Sequence, residues 1–335
     1  MAERKRYIDI LRGIGIILVV YGHIIRIWPD RSYIWTFHMP LFFFISGLTF
    51  VPAKYDNFQA FIKRRGIFLL IPYFIFYLIC VPLWAVFVFV YKGDLSVTDI
   101  LKDYLLMFYG NMTDPGGALW FLPCLFMTEI IYWNINAHSS RYLHLPICFL
   151  LMTIGYYIFD FEFKLPFGLN IALLAIPFYC IAFLSKDIIE KWKNSNIISW
   201  IIPLVLLLII QFYLFRYSGL DLAVYYIRNI YMYIPMAISA IIFYLIISFI
   251  INKSSILEWI GKNTLVILAF HGYVYKVILW GISFSTSIPL EAIRSNYIIC
   301  IATTVLTILF LVPIIRIYNI KITPLLNQIY NRINH

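Results

Sequence analysis

The stretch that decides the fold is YIDILRGIGIILVVYGH, from Tyr7 to His23, an apolar run that contains Arg12 and ends in a histidine. On an α-helix, the eleven positions from Arg12 to His23 turn through about 1100° and rise about 16 Å. The two side chains therefore lie on one face, separated by roughly half the thickness of a bilayer core. Ionisable groups inside a membrane helix are costly and usually face protein or a water-filled path. This stripe indicates an internal channel with chemical work at two depths.

The composition is that of a membrane protein. The chain has 335 residues, of which 63% are hydrophobic and 13% are charged, and its mean hydropathy is +0.87. A soluble domain of this length carries about 25% charged residues. The net charge of +10 is better explained by basic cytoplasmic loops than by nucleic-acid binding. The first apolar run lacks a small-residue cleavage site, so it is not a cleaved signal peptide.

The five cysteines all lie inside apolar runs, with neither a CxxC pair nor a His/Cys cluster at the spacing of metal ligands. They are interpreted as small buried residues rather than as a disulfide or metal framework. The sequence also has no Gly-rich phosphate loop, no HExxH and no GxSxG. Any chemistry is therefore expected from side chains inside the bundle, without a metal.

The apolar runs predict an all-α bundle of about ten transmembrane helices, with both termini in the cytoplasm. In this arrangement sixteen Lys and Arg residues lie on cytoplasmic segments and nine on the opposite side, as the positive-inside rule requires. Residues 99–110 are too short to cross and predict a surface or re-entrant helix. A single transmembrane domain over residues 1–335, with no appended soluble domain, is expected. The predicted spans are about 7–27, 36–52, 66–91, 117–137, 143–159, 167–184, 196–215, 229–251, 263–282 and 296–315.

Two histidines are expected at the outer mouth of the bundle. His23 ends the first span and His38 opens the second, and the short turn between the spans brings them together. Histidine titrates near working pH, so such a pair can supply a general base and an orienting partner. The alternative is a pair of interfacial histidines that hydrogen-bond to the backbone. His271, inside the ninth span, is a further candidate.

Charged residues within or beside the spans are the other candidates. Asp9 lies three positions before Arg12 and is predicted to pair with it on one helix face, either for function or only to neutralise the arginine. The basic run Lys63–Arg65 is either a topology anchor or a phosphate-binding cluster. Glu129, within the fourth span, is either functional or a structural hydrogen-bonding group.

Several segments together resemble acyltransferase family 3, a family of integral membrane acyltransferases. The R-x10-H pattern of the first span is similar to that family's first helix. The second segment resembles the fucose 4-O-acetylase-like branch in particular, and the fourth contains Trp120. The matching segments are YIDILRG from Tyr7, FHMPLFFFISG from Phe37, KRR followed by LLIPYF from Lys63, GALWFL from Gly117 and IGKNTLVILAFH from Ile260.

The resemblance implies an activity and assigns roles to the candidate residues. It implies transfer of an acetyl group from cytoplasmic acetyl-CoA to a hydroxyl of an extracytoplasmic or lipid-linked carbohydrate. Arg12 and the run Lys63–Arg65 would hold the phosphates of CoA, with Arg64 and Arg65 as equal candidates within the run. His23 would act as general base, oriented by His38 or Glu129, or would carry the acyl group transiently itself.

The alternative from another class is a transporter or flippase for a lipid-linked sugar. It would also need intramembrane charges, but it would usually show internal repeats and broken helices, and neither is evident here. A glycan polymerase would be expected to carry a large outer loop, which the sequence lacks. The cell membrane is the expected location. Exopolysaccharide, capsule, O-antigen, peptidoglycan and small lipid-linked sugars all remain open as acceptors.

Overall fold

The computed structural model describes residues 5–93, 96–110, 112–160, 164–214, 220–221, 226–227 and 230–334. Residues 1–4 and much of the segment 215–229 lie outside these ranges. The helices are α1 Arg6–Ile24, α2 Trp28–Thr49, α3 Phe58–Arg65, α4 Ile71–Lys92, α5 Val97–Leu106, α6 Phe121–His138, α7 His144–Asp160, α8 Leu169–Leu184, α9 Lys186–Lys193, α10 Ile198–Leu214, α11 Ile230–Ile251, α12 Ser255–Lys262, α13 Thr264–Thr286, α14 Leu290–Arg294, α15 Tyr297–Ile317 and α16 Thr323–Asn334.

Short segments complete the secondary structure. A two-residue antiparallel pair joins Leu220–Asp221 to Tyr226–Ile227. The shorter helical turns are of the 3₁₀ type at Pro52–Lys54, Gly117–Trp120, Arg141–Leu143 and Pro166–Gly168, and of the π type at Gly66–Leu70 and Tyr318–Ile322.

The all-α membrane fold is confirmed. Within the described residues, eight helices are long and apolar enough to cross a membrane, or nine if the bent pair α9 and α10 forms one broken span. The helix α2 is not among these eight or nine, although it contains most of the second predicted span. The count of ten and the orientation stay predictions. The predicted short helix at 99–110 is present as α5, Val97–Leu106.

The chain divides into two compact units. One consists of Met1–Phe50 with Phe178–Leu311, and the other of Val51–Pro177 with Val312–His335. The boundaries fall inside α8 and α15, so each of these helices contributes to both units. All five cysteines are buried and lie outside any disulfide bond, which confirms their interpretation as core residues.

The first unit is built around α1, against which α2, α11, α12 and α13 pack. Glycine allows the α1 and α12 backbones to touch. A Cβ placed on Gly13 would lie 2.3 Å from the Leu257 carbonyl oxygen, and one on Gly261 would lie 1.9 Å from the Asp9 carbonyl oxygen. Small residues at helix interfaces permit this close approach. The contact fixes α12, and with it the start of α13, beside α1.

The helix α2 begins earlier than the sequence predicted. It starts at Trp28, within the RIWPDRS segment predicted to be a turn, so His38 lies in the middle of the helix rather than at its start. Close packing with α1 accompanies the change: a Cβ on Gly22 would lie 2.8 Å from a side-chain carbon of Ile34. Polar residues extend the helix beyond its apolar part, which is why hydropathy placed the start too late.

In the second unit, α3, the π-helical segment Gly66–Leu70 and α4 follow one another without a break. The basic run Lys63–Arg65 therefore forms the last turn of a helix, and not the loop before a span. Asn57 caps this helix by accepting a hydrogen bond from the Ala60 amide at 2.9 Å, as expected for a favoured N-cap residue. The helix α16 packs on α3 and on the π-helical segment.

Candidate active site

Three histidine rings cluster in the first unit. The centroid of the His23 ring lies 5.1 Å from that of His271 and 6.4 Å from that of His38. His38 and His271 are buried, at 6% and 3% exposure, whereas His23 is only half-buried. The structure thus brings the two predicted mouth histidines together and adds the third candidate to them.

The backbone fixes which nitrogen of each flanking ring carries a proton. The Nδ1 of His38 lies 2.9 Å from the Ile34 carbonyl oxygen, and the Nδ1 of His271 lies 3.0 Å from that of Ile267. A carbonyl oxygen only accepts hydrogen bonds, so each Nδ1 is the donor. In the neutral rings the Nε2 atoms are therefore proton acceptors. For His38, this is the backbone hydrogen bond that was predicted as the alternative to a functional role.

The ring of His23 differs from its neighbours. Besides the rings of His38 and His271, it contacts the ring of Trp35, with 5.6 Å between the two ring centroids. Among the described residues, the His23 imidazole makes no hydrogen bond. An imidazole that is half-buried and not hydrogen-bonded to protein can exchange a proton with a reactant. Its predicted role as general base stays a prediction.

Arg294 and Trp35 hydrogen-bond to the backbone around His23. Neither residue was among the candidates predicted from the sequence. Arg294, on α14, donates from Nη2 to the His23 carbonyl oxygen at 2.6 Å and from Nε to the Ile24 carbonyl oxygen at 2.7 Å. Burial lowers the pKa of the Arg294 guanidinium from its ordinary value. Trp35 donates from Nε1 to the Gly22 carbonyl oxygen at 3.0 Å. These contacts fix the end of α1, where carbonyl groups lack partners within the helix.

No local pattern indicated the role of Arg294, because it lies 271 positions from His23 in sequence. Trp35 carried a weak signal, since it lies three positions before His38 and shares its helix face. Its ring is covered by the Arg31 guanidinium, which lies 3.9 Å from the ring centroid.

The predicted pair at the start of α1 is present. Asp9 is buried and its Oδ1 lies 3.6 Å from Nη1 of Arg12, which is partly exposed. Arg12 and His23 stand on one uninterrupted helix, α1, as the eleven-residue spacing predicted. Whether the arginine serves a ligand stays a prediction.

In the second unit, Glu129 pairs with Arg65. The carboxylate is buried, at 3% exposure, and its two oxygens accept hydrogen bonds from Nε and Nη2 of the guanidinium. A two-pronged pair of this kind is strong and directional. Both residues were site candidates from the sequence, but no local pattern indicated that they would pair. The role of Glu129 in orienting His23 stays a prediction.

The three basic residues of the run have different surroundings because successive helix positions differ by about 100°. Lys63 is exposed and Arg64 is half-buried. Arg65 is the one that pairs with the Glu129 carboxylate. Trp120, at the end of a 3₁₀ turn in the same unit, is buried at 4% exposure, and its ring centroid lies 6.4 Å from that of Phe121. The predicted roles of the basic run and of Trp120 in the site stay predictions.

Within the described ranges, no group of three or more His, Cys, Asp or Glu side chains is arranged to hold a metal ion. The expectation of a reaction without a metal stays a prediction.

Comparisons with known proteins support the family that the sequence motifs indicated. The acyltransferase domain that defines acyltransferase family 3 matches residues 5–315. The chain is also similar to the nodulation protein NolL of Mesorhizobium japonicum, with 26% identity over 229 residues. That alignment covers 61% of this chain and 54% of the relative, so the chain spans about half the length of NolL. No solved structure gave a significant match. The chain belongs to acyltransferase family 3, and its described residues include eight or nine helices able to cross a membrane.

Proposed function

We propose that this acyltransferase moves an acetyl group from cytoplasmic acetyl-CoA to a hydroxyl of an extracytoplasmic or lipid-linked carbohydrate at the cell membrane. The observation that supports this most directly is the histidine cluster, in which a half-buried His23 stands beside two rings with fixed tautomers. The family assignment favours this activity over transport of a lipid-linked sugar. Acetyl as the acyl group and carbohydrate as the acceptor come from the resemblance of the motifs.

The proposed chemistry is a direct transfer. The imidazole of His23 takes the proton of the acceptor hydroxyl while the hydroxyl oxygen attacks the thioester carbonyl carbon. The carbon–sulfur bond then breaks, and the thiolate of CoA leaves with the electron pair and receives the proton from the imidazolium. In this proposal His38 and His271, whose ring centroids lie 6.4 Å and 5.1 Å from that of His23, hold its imidazole in position.

A covalent route through His23 would form an acyl-imidazole in the first step and release CoA before the acceptor reacts. The cluster supports either route. A burst of CoA release in the absence of an acceptor distinguishes the covalent route from direct transfer.

On the donor side, Arg12, Lys63 and Arg64 are the proposed phosphate-binding residues. Arginine suits this task through its planar fork of donors. Arg65 is a weaker candidate than the other residues of its run, because the Glu129 carboxylate already occupies two of its nitrogens. Along α1, the rise of about 16 Å from Arg12 to His23 leaves room for a pantetheine arm between the phosphates and the thioester.

The test uses membranes from cells that express the chain, incubated with acetyl-CoA labelled in the acetyl group. Wild type should transfer label to a glycan or glycolipid fraction, from which the acceptor can be identified. His23→Ala should lower that transfer at least about 10²-fold, in line with the loss of a general base. His138→Ala is the matched control, because His138 is exposed at the end of α6. Transfer at the wild-type rate by His23→Ala would refute the role of His23, and label found only in protein or lipid acyl chains would refute the carbohydrate acceptor.

A further inference from the structure

Arginine side chains gather around the histidine cluster on the side where α1 ends and α2 begins. Three guanidinium groups lie close enough to Tyr275 for their charges to act on its hydroxyl group, those of Arg26, Arg31 and Arg294. Tyr275 is buried on α13, one turn after His271, and the centroids of the two rings lie 6.3 Å apart. Three positive charges therefore converge beside the histidines.

Arg294 holds a fixed position within one residue of the His23 side chain. Its Nη2 and Nε donate to the backbone carbonyl oxygens of His23 and Ile24, at 2.6 Å and 2.7 Å. The third nitrogen, Nη1, makes no hydrogen bond with any residue that the structure describes. The side chain is half-buried, so its charge is screened less than that of a fully solvated arginine. Arg294 can therefore offer an oriented donor to an anion next to His23.

Arg26 and Arg31 complete the positive surroundings. Arg26 is exposed, and its backbone amide donates to the Arg294 carbonyl oxygen at 2.9 Å. Among the described residues, the Arg26 side chain forms no ion pair. The Arg31 guanidinium lies 3.9 Å from the centroid of the Trp35 ring, which itself contacts the His23 ring. The three arginines thus reach the cluster from three different segments of the chain.

The acidic residues of this region do not balance these charges. Asp30 accepts a hydrogen bond of 2.8 Å from the Tyr297 hydroxyl group. The charge of Glu291 acts on Arg294, but within the described residues no ion pair joins the two side chains. Lys276, on α13, adds a further exposed positive charge near the histidine cluster. In the described part of this region, basic side chains therefore outnumber acidic ones.

The predicted topology gives this group of arginines no other task. With the N-terminus in the cytoplasm, the segment between α1 and α2 and the helix α14 both lie on the extracytoplasmic side. The positive-inside rule favours Lys and Arg on the cytoplasmic side, so it does not account for the group. The planar fork of an arginine matches the oxygens of a carboxylate or a phosphate, which indicates a task in binding an anion.

We propose that the acceptor carries an anionic group, a carboxylate or a phosphate, close to the hydroxyl that receives the acyl group. Arg294 and Arg26 hold that group, and Arg31 adds positive potential that draws an acidic saccharide to the site. This inference rests on the proposed function, because it assumes that a saccharide hydroxyl reaches His23. A phospholipid headgroup fits the same charges, but at this position it would exclude the acceptor from His23. The acceptor is therefore the better source of the anion.

The first experiment tests the charge of the product. Membranes that contain the wild-type chain are incubated with acetyl-CoA labelled in the acetyl group. The labelled glycan is applied to an anion exchanger at neutral pH, before and after mild acid removes any lipid carrier. Retention in both cases is expected for a charge on the saccharide, and retention only before mild acid for a charge on the phosphate of the carrier. A labelled glycan that is retained in neither case would overturn the inference.

A second experiment tests the arginines, with purified full-length protein in nanodiscs of neutral lipid. The probe is the unacylated glycan from cells that lack the enzyme. Arg26→Gln should raise the KM for this glycan about tenfold, as the loss of one charge-assisted contact allows, and should leave the KM for acetyl-CoA unchanged. Arg332→Gln is the matched control, since Arg332 is an exposed arginine on α16 in the second unit.

The outcomes separate this inference from the proposed function. An unchanged KM for the glycan in Arg26→Gln, or an equal rise in Arg332→Gln, would overturn the inference while acyl transfer stands. An effect of Arg26→Gln that appears only when the nanodisc contains anionic lipid would assign the arginines to phospholipid headgroups, and would also overturn the inference. Absence of labelled glycan from membranes with folded wild-type protein would overturn the proposed function itself.

Discussion

At the scale of single residues, the environment separates side chains that look equivalent in the sequence. His23, His38 and His271 are all histidines on apolar helices, but two of them have Nδ1 bound to backbone carbonyl groups. The third has a ring free of hydrogen bonds among the described residues and open to its surroundings. In the proposed reaction that ring exchanges the proton, and the other two rings flank it.

The flanking role of His271 can be tested directly. His271→Ala removes the ring whose centroid lies 5.1 Å from that of His23, so the imidazole of His23 loses the neighbour that holds it in position in the proposed reaction. We expect kcat to fall about 10²-fold or more, with little change in the KM for acetyl-CoA, in steady-state assays of purified protein. His138→Ala provides the control for the substitution itself.

A second measurement distinguishes a role of His271 in the reaction from a purely structural role. The pH–rate profile should shift in the variant, because the loss of a neighbouring imidazole changes the surroundings of His23 and with them its proton affinity. A fall in kcat with an unchanged profile, accompanied by a lower unfolding temperature, would contradict the proposed role of His271.

At the scale of elements, the backbone contact between α1 and α12 positions the site. The helix α12 lies against α1 through Gly13 and Gly261, and α13, which carries His271, follows α12 after Asn263. The placement of His271 beside His23 therefore depends on these two glycines, each of which lies far in sequence from one of the two histidines. The arrangement of the site is a consequence of close helix packing.

Gly13→Ala tests this dependence. The added Cβ would lie 2.3 Å from the Leu257 carbonyl oxygen, so the helices must separate at a cost of about 1–3 kcal/mol. We expect a lower thermal unfolding temperature and reduced transfer. Gly281→Ala is the control: no heavy atom lies within 4 Å of its added Cβ, and the change should be neutral or slightly stabilising. Equal unfolding temperatures for the two variants would show that the contact does not hold the helices together.

Helix starts were the least predictable feature of the elements. Hydropathy identifies residues that face lipid or core, but a helix continues wherever its backbone bonds are satisfied. The helix α2 therefore begins at Trp28 rather than near residue 36, and α3 runs from Phe58 through the basic run. For the same reason, the sequence could not show that Arg65 turns toward Glu129 while Arg64 faces Tyr330, since both contacts depend on tertiary packing.

At the scale of the whole molecule, composition and motifs were sufficient for the fold class and the family. Apolar runs of about 20 residues require helices because a bilayer core offers no partners to backbone groups. The ordered segments from Tyr7 to His271 indicated the family that the domain match establishes. The division into two units could not be predicted, because it runs through the interiors of α8 and α15 and depends on contacts distant in sequence.

The most direct test of the central claim is turnover of acetyl-CoA by the purified full-length protein, followed as release of the CoA thiol in the presence of candidate saccharide acceptors. Wild type and His138→Ala should release CoA at similar rates, and His23→Ala, shown to be folded by its unfolding temperature, should be slower by at least about 10²-fold. Equal rates in His23→Ala and wild type would contradict the account and move the chemistry away from the histidine cluster.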